Sequence, residues 1–360
     1  MSENQDGRKQ KRERVAELDE EILRLLDDRL TVSRELEVAE EGPGDEAIFG
    51  AEELAARLKK IGGKETETLP RETAEAIFRE IWSADKALRQ PNVIAYLGPQ
   101  ATFTHQAALQ YFGKAAEYAE QPSISDVFDT VSRGKATYGV APIENTTEGS
   151  VTHTLDMFAD TDIKIAAEIN TPIHHCFLSS SSKEDVTTVY SHAQVFGQCR
   201  QWLAKNLPRA EYVELSSTTE ATLRCSREEN SAALASAVAA DKYDVPVQEE
   251  NIEDFTGNTT RFLVLSRHNT EPTGDDKTSL LMVIRDKVGA LYDSLLPFRE
   301  NGINLSFIQS RPSKRRNWEY YFFIDFNGHC QDEKVKQVLE ELEEHCSFIK
   351  ILGSYPRAVI

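Results

Sequence analysis

The stretch Val93-Ile94-Ala95-Tyr96-Leu97-Gly98-Pro99-Gln100-Ala101-Thr102-Phe103-Thr104 sets the architecture of the chain. Its apolar first half reads as a short strand, Gly98-Pro99 turns the backbone, and Thr102 or Thr104 can cap a helix that runs toward Phe112. Strand, turn and helix alternate again through Gly139-Val140-Ala141-Pro142, residues 163–169, Thr188-Val189-Tyr190, a helix around Cys199 to Leu207, and residues 232–240. Such alternation predicts an α/β domain.

The pattern on either side is different. Upstream, Leu18, Ile22, Leu25, Arg29, Val32, Leu36 and Ala39 recur at steps of three and four along one seam of a long helix. A second helix over residues 45–61 stops at Gly62-Gly63. A third starts near Thr68 and Pro70 and is expected to bury Ala74, Ile77, Ile81, Ala84 and Leu88. Gln90-Pro91 closes this all-helical unit, because proline neither continues a helix nor lets its predecessor do so. Three long helices without a compact centre predict dimerisation. Downstream, from Thr278, the order is strand (280–284), helix (290–299), strand (303–309), strand (319–326), helix (333–344) and strand (348–354), a ferredoxin-like βαββαβ unit. Residues 269–277, rich in Pro, Gly and charge, read as the linker. The expected units are 1–90, 92–268 and 278–360, in keeping with a length of 360 residues.

A formal net charge of −19 argues against nucleic acid and anionic membranes as partners. An anionic substrate would then have to be held by local donors in a cleft. The five cysteines are scattered and never paired as C-x-x-C, which argues against a zinc cage or disulfide framework and suits a reducing cytoplasm. The polar N-terminus MSENQDGRKQKRER is no signal peptide, and no run is apolar enough to span a bilayer. His174-His175-Cys176 does not make a metal site, since neighbours on a strand point to opposite faces. His192 reads as a structural partner, and Gly62-Gly63-Lys64 is too short for a phosphate loop.

Motifs in a fixed order carry the function. Gly98-Pro99-Gln100-Ala101-Thr102-Phe103-Thr104, Pro142-Ile143-Glu144-Asn145-Thr146, Ser191-His192-Ala193-Gln194 with Gln198-Cys199, and Asn258-Thr259-Thr260-Arg261-Phe262 together resemble the prephenate dehydratase family. Asn258-Thr259-Thr260 alone would be only a turn before a buried strand. Ala101 stands where the family often has glycine, and Ala193 where it often has proline.

The resemblance implies two α/β lobes around a cleft, like periplasmic binding proteins, and conversion of prephenate to phenylpyruvate without cofactor or metal. It assigns Thr260 as the proton donor to the departing hydroxyl. Arg261 would supply a charge-assisted bond, worth about 1.5–3 kcal/mol, to a substrate carboxylate. Thr102, Glu144, Asn145, Ser191, Gln198 and Phe262 would complete the substrate site. A non-catalytic cleft sensor is the alternative of a different class.

The C-terminal unit resembles the ACT family of amino-acid-sensing domains, with Gly289-Ala290-Leu291 and Gln309-Ser310-Arg311-Pro312 at the paired motifs associated with phenylalanine. That implies an effector site of Gly289, Ala290, Leu291, Asn304, Ser310, Arg311 and Pro312, with Gln309 in place of the usual glutamate. A plain oligomerisation domain is the alternative.

The N-terminal helices resemble the chorismate mutase domain of bifunctional proteins through Arg12 and Arg29. Glu40 stands where that family has lysine, Gly50 or Ala51 where it has arginine, and Arg89 where it has Gln or Glu. Reversing a charge beside a dianion costs several kcal/mol even at an effective dielectric of about 20. Weak or absent mutase activity is therefore expected, in a homodimer or homotetramer, with full bifunctionality the alternative.

Overall fold

The computed structural model describes residues 2–40, 51–64, 66–89, 92–313 and 319–358. Its N-terminal part is helical: α1 (Ser2–Glu40), α2 (Ala51–Gly62) and α3 (Arg71–Arg89). Gly50 lies outside the described residues, as does the start of the expected second helix. On α3 only Ala74 of the expected stripe is buried, while Ile77 and Leu88 are exposed. The reason is orientation: α3 turns other residues, among them Ser83, toward the lobe behind it, where Ala115 donates its amide to the Ser83 hydroxyl.

The first lobe contains β1 (Val93–Leu97), α4 (Phe103–Phe112), β2 (Glu117–Gln121), α5 (Ile124–Ser132), β3 (Tyr138–Asn145), β4 (Gly149–Ser150), α6 (Thr152–Asp160) and β5 (Lys164–Pro172). The chain then builds the second lobe from β6 (Cys176–Leu178), β7 (Thr188–Ser191), α7 (Ala193–Gln198), α8 (Arg200–Asn206), β8 (Glu211–Glu214), α9 (Thr218–Cys225), β9 (Ser231–Ala235), α10 (Ala237–Tyr243) and β10 (Val247–Glu249). It returns to the first lobe as β11 (Thr259–Ser266), which inserts antiparallel between β3 and β5. The sheets run β2-β1-β3-β11-β5, with β4 beside β3, and β10-β6-β9-β7-β8. The chain crosses between lobes twice, so residues distant in sequence meet at the crossing.

The C-terminal unit consists of β12 (Asp276–Ile284), α11 (Ala290–Glu300), β13 (Leu305–Pro312), β14 (Tyr320–Asn327), α12 (Glu333–His345) and β15 (Cys346–Pro356), in sheet order β13-β14-β12-β15. Alternation along its strands gives the sheet two apolar faces. Leu280, Met282, Ile324 and Phe326 pack beneath the helices with Phe298 and Leu342. Leu281, Phe323, Leu352 and Tyr355 pack on the first lobe with Ile143, Ile165, Leu263 and Leu265. Strand β15 approaches β5 so closely that a Cβ at Gly353 would sit 2.2 Å from the Ile165 carbonyl oxygen. Residues 269–277 are therefore no loose tether: buried Thr270 bonds the Ser354 carbonyl, and the Asp276 carboxylate accepts from the Thr273 and Gly274 amides at 2.8 and 3.0 Å.

Candidate active site

In doubly wound sheets, ligands bind beyond the carboxyl ends of the parallel strands. Here those ends carry the capped starts of helices. Thr102 caps α4, accepting from the His105 amide, and Ser217 and Ser236 cap α9 and α10 in the second lobe. The lobes touch along this line. The Ser236 hydroxyl donates to the Ala101 carbonyl at 3.4 Å, and Phe103 meets the edge of His175 with ring centroids 5.6 Å apart. Ala101 takes a left-handed φ of 67°, a conformation that suits the glycine usual at this position.

The crossing strands build the donor cluster. Thr260 pairs with Asn145 across β11 and β3, and partners in such a pair share a face. Asn145 Nδ2 donates to Thr260 Oγ1 and to Asn258 Oδ1, both at 2.8 Å, while its Oδ1 accepts the amides of Thr147 and Glu148. Asn258 Nδ2 donates to Gln198 Oε1 at 3.3 Å, and the same oxygen lies 2.6 Å from His175 Nε2. Glu148 reaches from the first lobe to accept from Gln194 and Gln198 of α7. One continuous network thus joins Thr260 to both lobes. Burial pushes the His175 pKa below its ordinary value, so the ring is neutral and gives Nε2–H to Gln198. Its buried Nδ1 has no partner among the described residues. Asn258 opens one of the motifs without being assigned to the site, and His175 and Glu148 lie outside the motifs altogether; only the fold brings the three to Gln198.

Several expected site residues lie elsewhere. Arg261 follows Thr260 on a strand and faces the opposite side of the sheet. Its Nε is 2.7 Å from Glu168 Oε2, Nη1 is 2.6 Å from Asp325 Oδ2, and Nη2 donates to the Tyr355 hydroxyl at 3.0 Å. Lys277 also binds Glu168, at 2.7 Å, and Ser279 joins Asp325 to Tyr355. Burial opposes the Arg261 charge, but Tyr355, Asp325 and Glu168 outweigh it and hold the guanidinium protonated. Glu168 is likewise kept ionised: burial would raise its pKa, but Arg261 and Lys277 pull it below the ordinary value. Arg261 is therefore committed to the interface with the C-terminal sheet, on the side of β11 opposite Thr260. Glu144 pairs with Arg261 and shares its side. Phe262 is buried in the first-lobe core, and Ser191 is buried with its hydroxyl on the Leu234 carbonyl at 2.7 Å. These two hold the walls and do not line the cleft. His192 caps α7 through Nδ1, which is structural as expected.

In the C-terminal unit a cavity of about 730 Å³ is lined by Gly289, Ala290 and Leu291 together with Arg285, Tyr320 and Phe322. Gly289 has φ 81°, left-handed, and starts α11. Ser310 and Pro312 sit on edge strand β13 and Asn304 just before it, none of them lining that cavity. Arg311 turns away from it and grips Asp156 of α6, at 2.9 and 2.7 Å from Nη2 to the two carboxylate oxygens. At the N-terminus Arg29 is paired at 2.8 Å with buried Asp85, which also accepts from Ser33. Arg12 is exposed. Among the described residues no group of three metal-ligating side chains occurs, and no helix is long and apolar enough to cross a membrane.

A two-lobed α/β cleft with a hydroxyl held by an interlobe amide network, backed by a βαββαβ unit, defines a cleft enzyme of the periplasmic-binding-protein type with a regulatory domain. The family description for prephenate dehydratase matches residues 94–270, and that for the ACT domain matches residues 278–344. The chain is 44% identical over 360 residues to the bifunctional chorismate mutase/prephenate dehydratase of Aquifex aeolicus, covering 98% of each chain. To the protein of the same name from Pseudomonas aeruginosa it is 42% identical, over 99% of this chain and 100% of that one. The crystal structure of a prephenate dehydratase from Arthrobacter aurescens in complex with L-Phe superposes with a TM-score of 0.69 at 34% identity, over 74% of this chain and 90% of that one. This chain belongs to the prephenate dehydratase family.

Proposed function

We propose that the chain converts prephenate to phenylpyruvate in the cleft beside Thr260, as a cytoplasmic homo-oligomer inhibited by phenylalanine. The observation that carries this reading is the Thr260 hydroxyl, which accepts from Asn145 Nδ2 at 2.8 Å and is left with its own proton to donate. In the reaction the bond to the ring carboxylate breaks and its electron pair aromatises the ring. The ring C–O bond breaks in turn, and the hydroxyl leaves as water with a donated proton, alongside carbon dioxide. Thr260 Oγ–H supplies that hydrogen bond and Asn145 orients it. A positioned donor of this kind contributes about 10² to 10⁴ in rate. With Arg261 engaged elsewhere, the substrate carboxylates fall to backbone amides and hydroxyls at the starts of α4 and α9. There the Thr219 hydroxyl is buried and unpartnered among the described residues.

Phenylalanine would occupy the cavity at Gly289–Leu291, its carboxylate on the α11 amides. Arg261 gives that event a route to the cleft, because its partners Asp325 and Tyr355 stand on β14 and β15 while Thr260 is its chain neighbour. The units are read as 1–90, 92–268 and 278–360, the first a mutase-like domain whose mutase activity is weak or absent. The Arg29–Asp85 pair favours this, since the cation that would meet chorismate is already neutralised by a buried carboxylate. The test is to incubate the purified protein separately with prephenate and with chorismate. Phenylpyruvate from the first with the second unchanged is expected. No phenylpyruvate would sink the dehydratase reading, and chorismate turnover in the ordinary enzyme range of about 1 to 10³ per second would sink the mutase one.

A further inference from the structure

The hydrogen-bond chain behind Thr260 ends on His175, and the direction of every bond in it is set from one fixed point. Asn145 Oδ1 accepts the backbone amides of Thr147 and Glu148, at 2.9 and 3.2 Å. A backbone N–H can only donate, so this end of the Asn145 side chain is its oxygen and the other end its NH2 group. That NH2 group donates to Thr260 Oγ1 and to Asn258 Oδ1, which turns the Asn258 NH2 group toward Gln198. Gln198 must then present Oε1, and its own NH2 group goes to Glu148 Oε1 at 3.3 Å. The other atom against Gln198 Oε1 is His175 Nε2, 2.6 Å away, so the proton of the neutral ring sits on Nε2. Nδ1 is buried and has no partner among the described residues to draw the proton there.

His175 is held from behind. It is 1% exposed and stands where the chain first crosses between the lobes. Its backbone N–H donates to Glu253 Oε2 at 2.9 Å, and its carbonyl accepts the Ile252 amide at 2.9 Å, both from the returning crossing. Glu253 Oε1 lies 2.8 Å from His174 Nδ1, so one buried carboxylate ties the two crossings together. Phe103 of α4 packs on the edge of the His175 ring from the first lobe. Without the Nε2–H, Gln198 Oε1 keeps only the longer bond from Asn258, at 3.3 Å, and the amide can turn over. Asn258 then loses its acceptor, and the Asn145 NH2 group that it shares with Thr260 loses its fixed aim.

We propose that His175 is a positioning residue for prephenate dehydration: its Nε2–H locks the Gln198 amide and, through Asn258 and Asn145, leaves the Thr260 proton free for the substrate. This rests on the dehydratase reading and adds to it the group that holds the polarity of the donor network.

Two readouts test it. Nitrogen NMR of the full chain with labelled histidine, in the absence of substrate, reads the tautomer directly; the His175 signal is assigned by its loss in His175→Gln. A proton on Nε2 and none on Nδ1 is expected. Kinetics with prephenate then compare His175→Leu with His175→Gln. Both lose the ring packing on Phe103, but glutamine puts an amide N–H near the place of Nε2–H. Turnover should fall about a hundredfold in the leucine variant with KM within about threefold of the parent, and glutamine should recover most of it. In a Thr260→Val background, His175→Leu should cost less than about threefold more, because the proton it positions is gone. Circular dichroism and thermal unfolding establish that the variants fold. A proton on Nδ1, undiminished turnover in the leucine variant, equal loss in the two folded variants, or losses that multiply in full in the double variant would each overturn the assignment. The tautomer is read without substrate and judges the network by itself; a parent chain that makes no phenylpyruvate strikes the dehydratase reading instead.

Discussion

Thr260 and Arg261 are adjacent in the chain yet serve opposite faces of one sheet, and this division decides what each substitution does. Thr260→Val keeps the shape of the side chain but removes the only hydrogen it can give. Prephenate turnover should fall about 10² to 10⁴-fold with KM little changed, while Thr260→Ser recovers most of it. Near-normal turnover in the valine variant would remove Thr260 from the chemistry. His175 makes a second residue-scale test. Its folded pKa is depressed by burial from 6.5, so between the two values the unfolded chain binds the extra proton and stability rises with pH. Resistance to urea should therefore be level above pH 6.5 and decline as the pH falls below it. In His175→Gln that part of the decline should disappear, leaving the slope due to carboxylates such as Glu168, whose depressed pKa acts at lower pH. An unchanged slope between pH 6.5 and 5 would show that His175 is not the group responsible.

Strand β11 is the element on which both faces converge. Between Arg261 and Phe262 its pairing with β3 slips by one residue, and Arg261 lies against Asp325 of β14 and Tyr355 of β15. Asp325→Asn keeps the shape but removes one charge from this interface. It should leave uninhibited turnover within about threefold of the parent and raise the phenylalanine concentration for half-inhibition about tenfold, a coupling loss near 1.4 kcal/mol. Inhibition curves of parent and variant that superimpose would show that the signal does not pass through Arg261. The same strand shows what a sequence discloses. β1, β3, β5 and the strands of the C-terminal unit are legible because their apolar runs are bounded by Gly, Pro or polar turns. β2 and β8 are sheet edges with the sequences EYAEQ and EYVE, half solvated, and carry no apolar run to find. Asn145 and Thr260 are legible through their motifs. The facing of Arg261 is not, since it rests on strand parity and on partners more than 60 residues away in the chain, Glu168 before it and Asp325 and Tyr355 after it.

At the scale of the whole molecule, an apolar surface along α1 stands uncovered. Along α1, Val15, Leu18, Ile22, Leu25, Val32 and Leu36 form the seam, and all are exposed in the single chain, Ile22 by 55% and Leu25 by 52%. On α3, Ile77 and Leu88 are exposed as well. Covering one such side chain contributes about 1.5–3 kcal/mol, so a seam of this length strongly favours association. A second copy is the occupant that fits. Arg12 and Arg29 stand 17 residues apart on one helix, about 25 Å at 1.5 Å per residue, too far to share a small ligand unless a second chain supplies one of them. Antiparallel α1 helices from two copies would bury both seams and bring Arg12 of one toward Arg29 of the other. Sedimentation velocity on the parent chain at micromolar concentration should show at least a dimer. Ile22→Asp with Leu25→Asp, which places carboxylates in the middle of the seam, should lower the assembly by a factor of two while prephenate turnover persists in the cleft of each chain. If the variant keeps the parent's sedimentation coefficient, the chains meet elsewhere, with the open edge of β13 next in line; if the parent itself runs as a single chain, the seam is not an interface between copies at all.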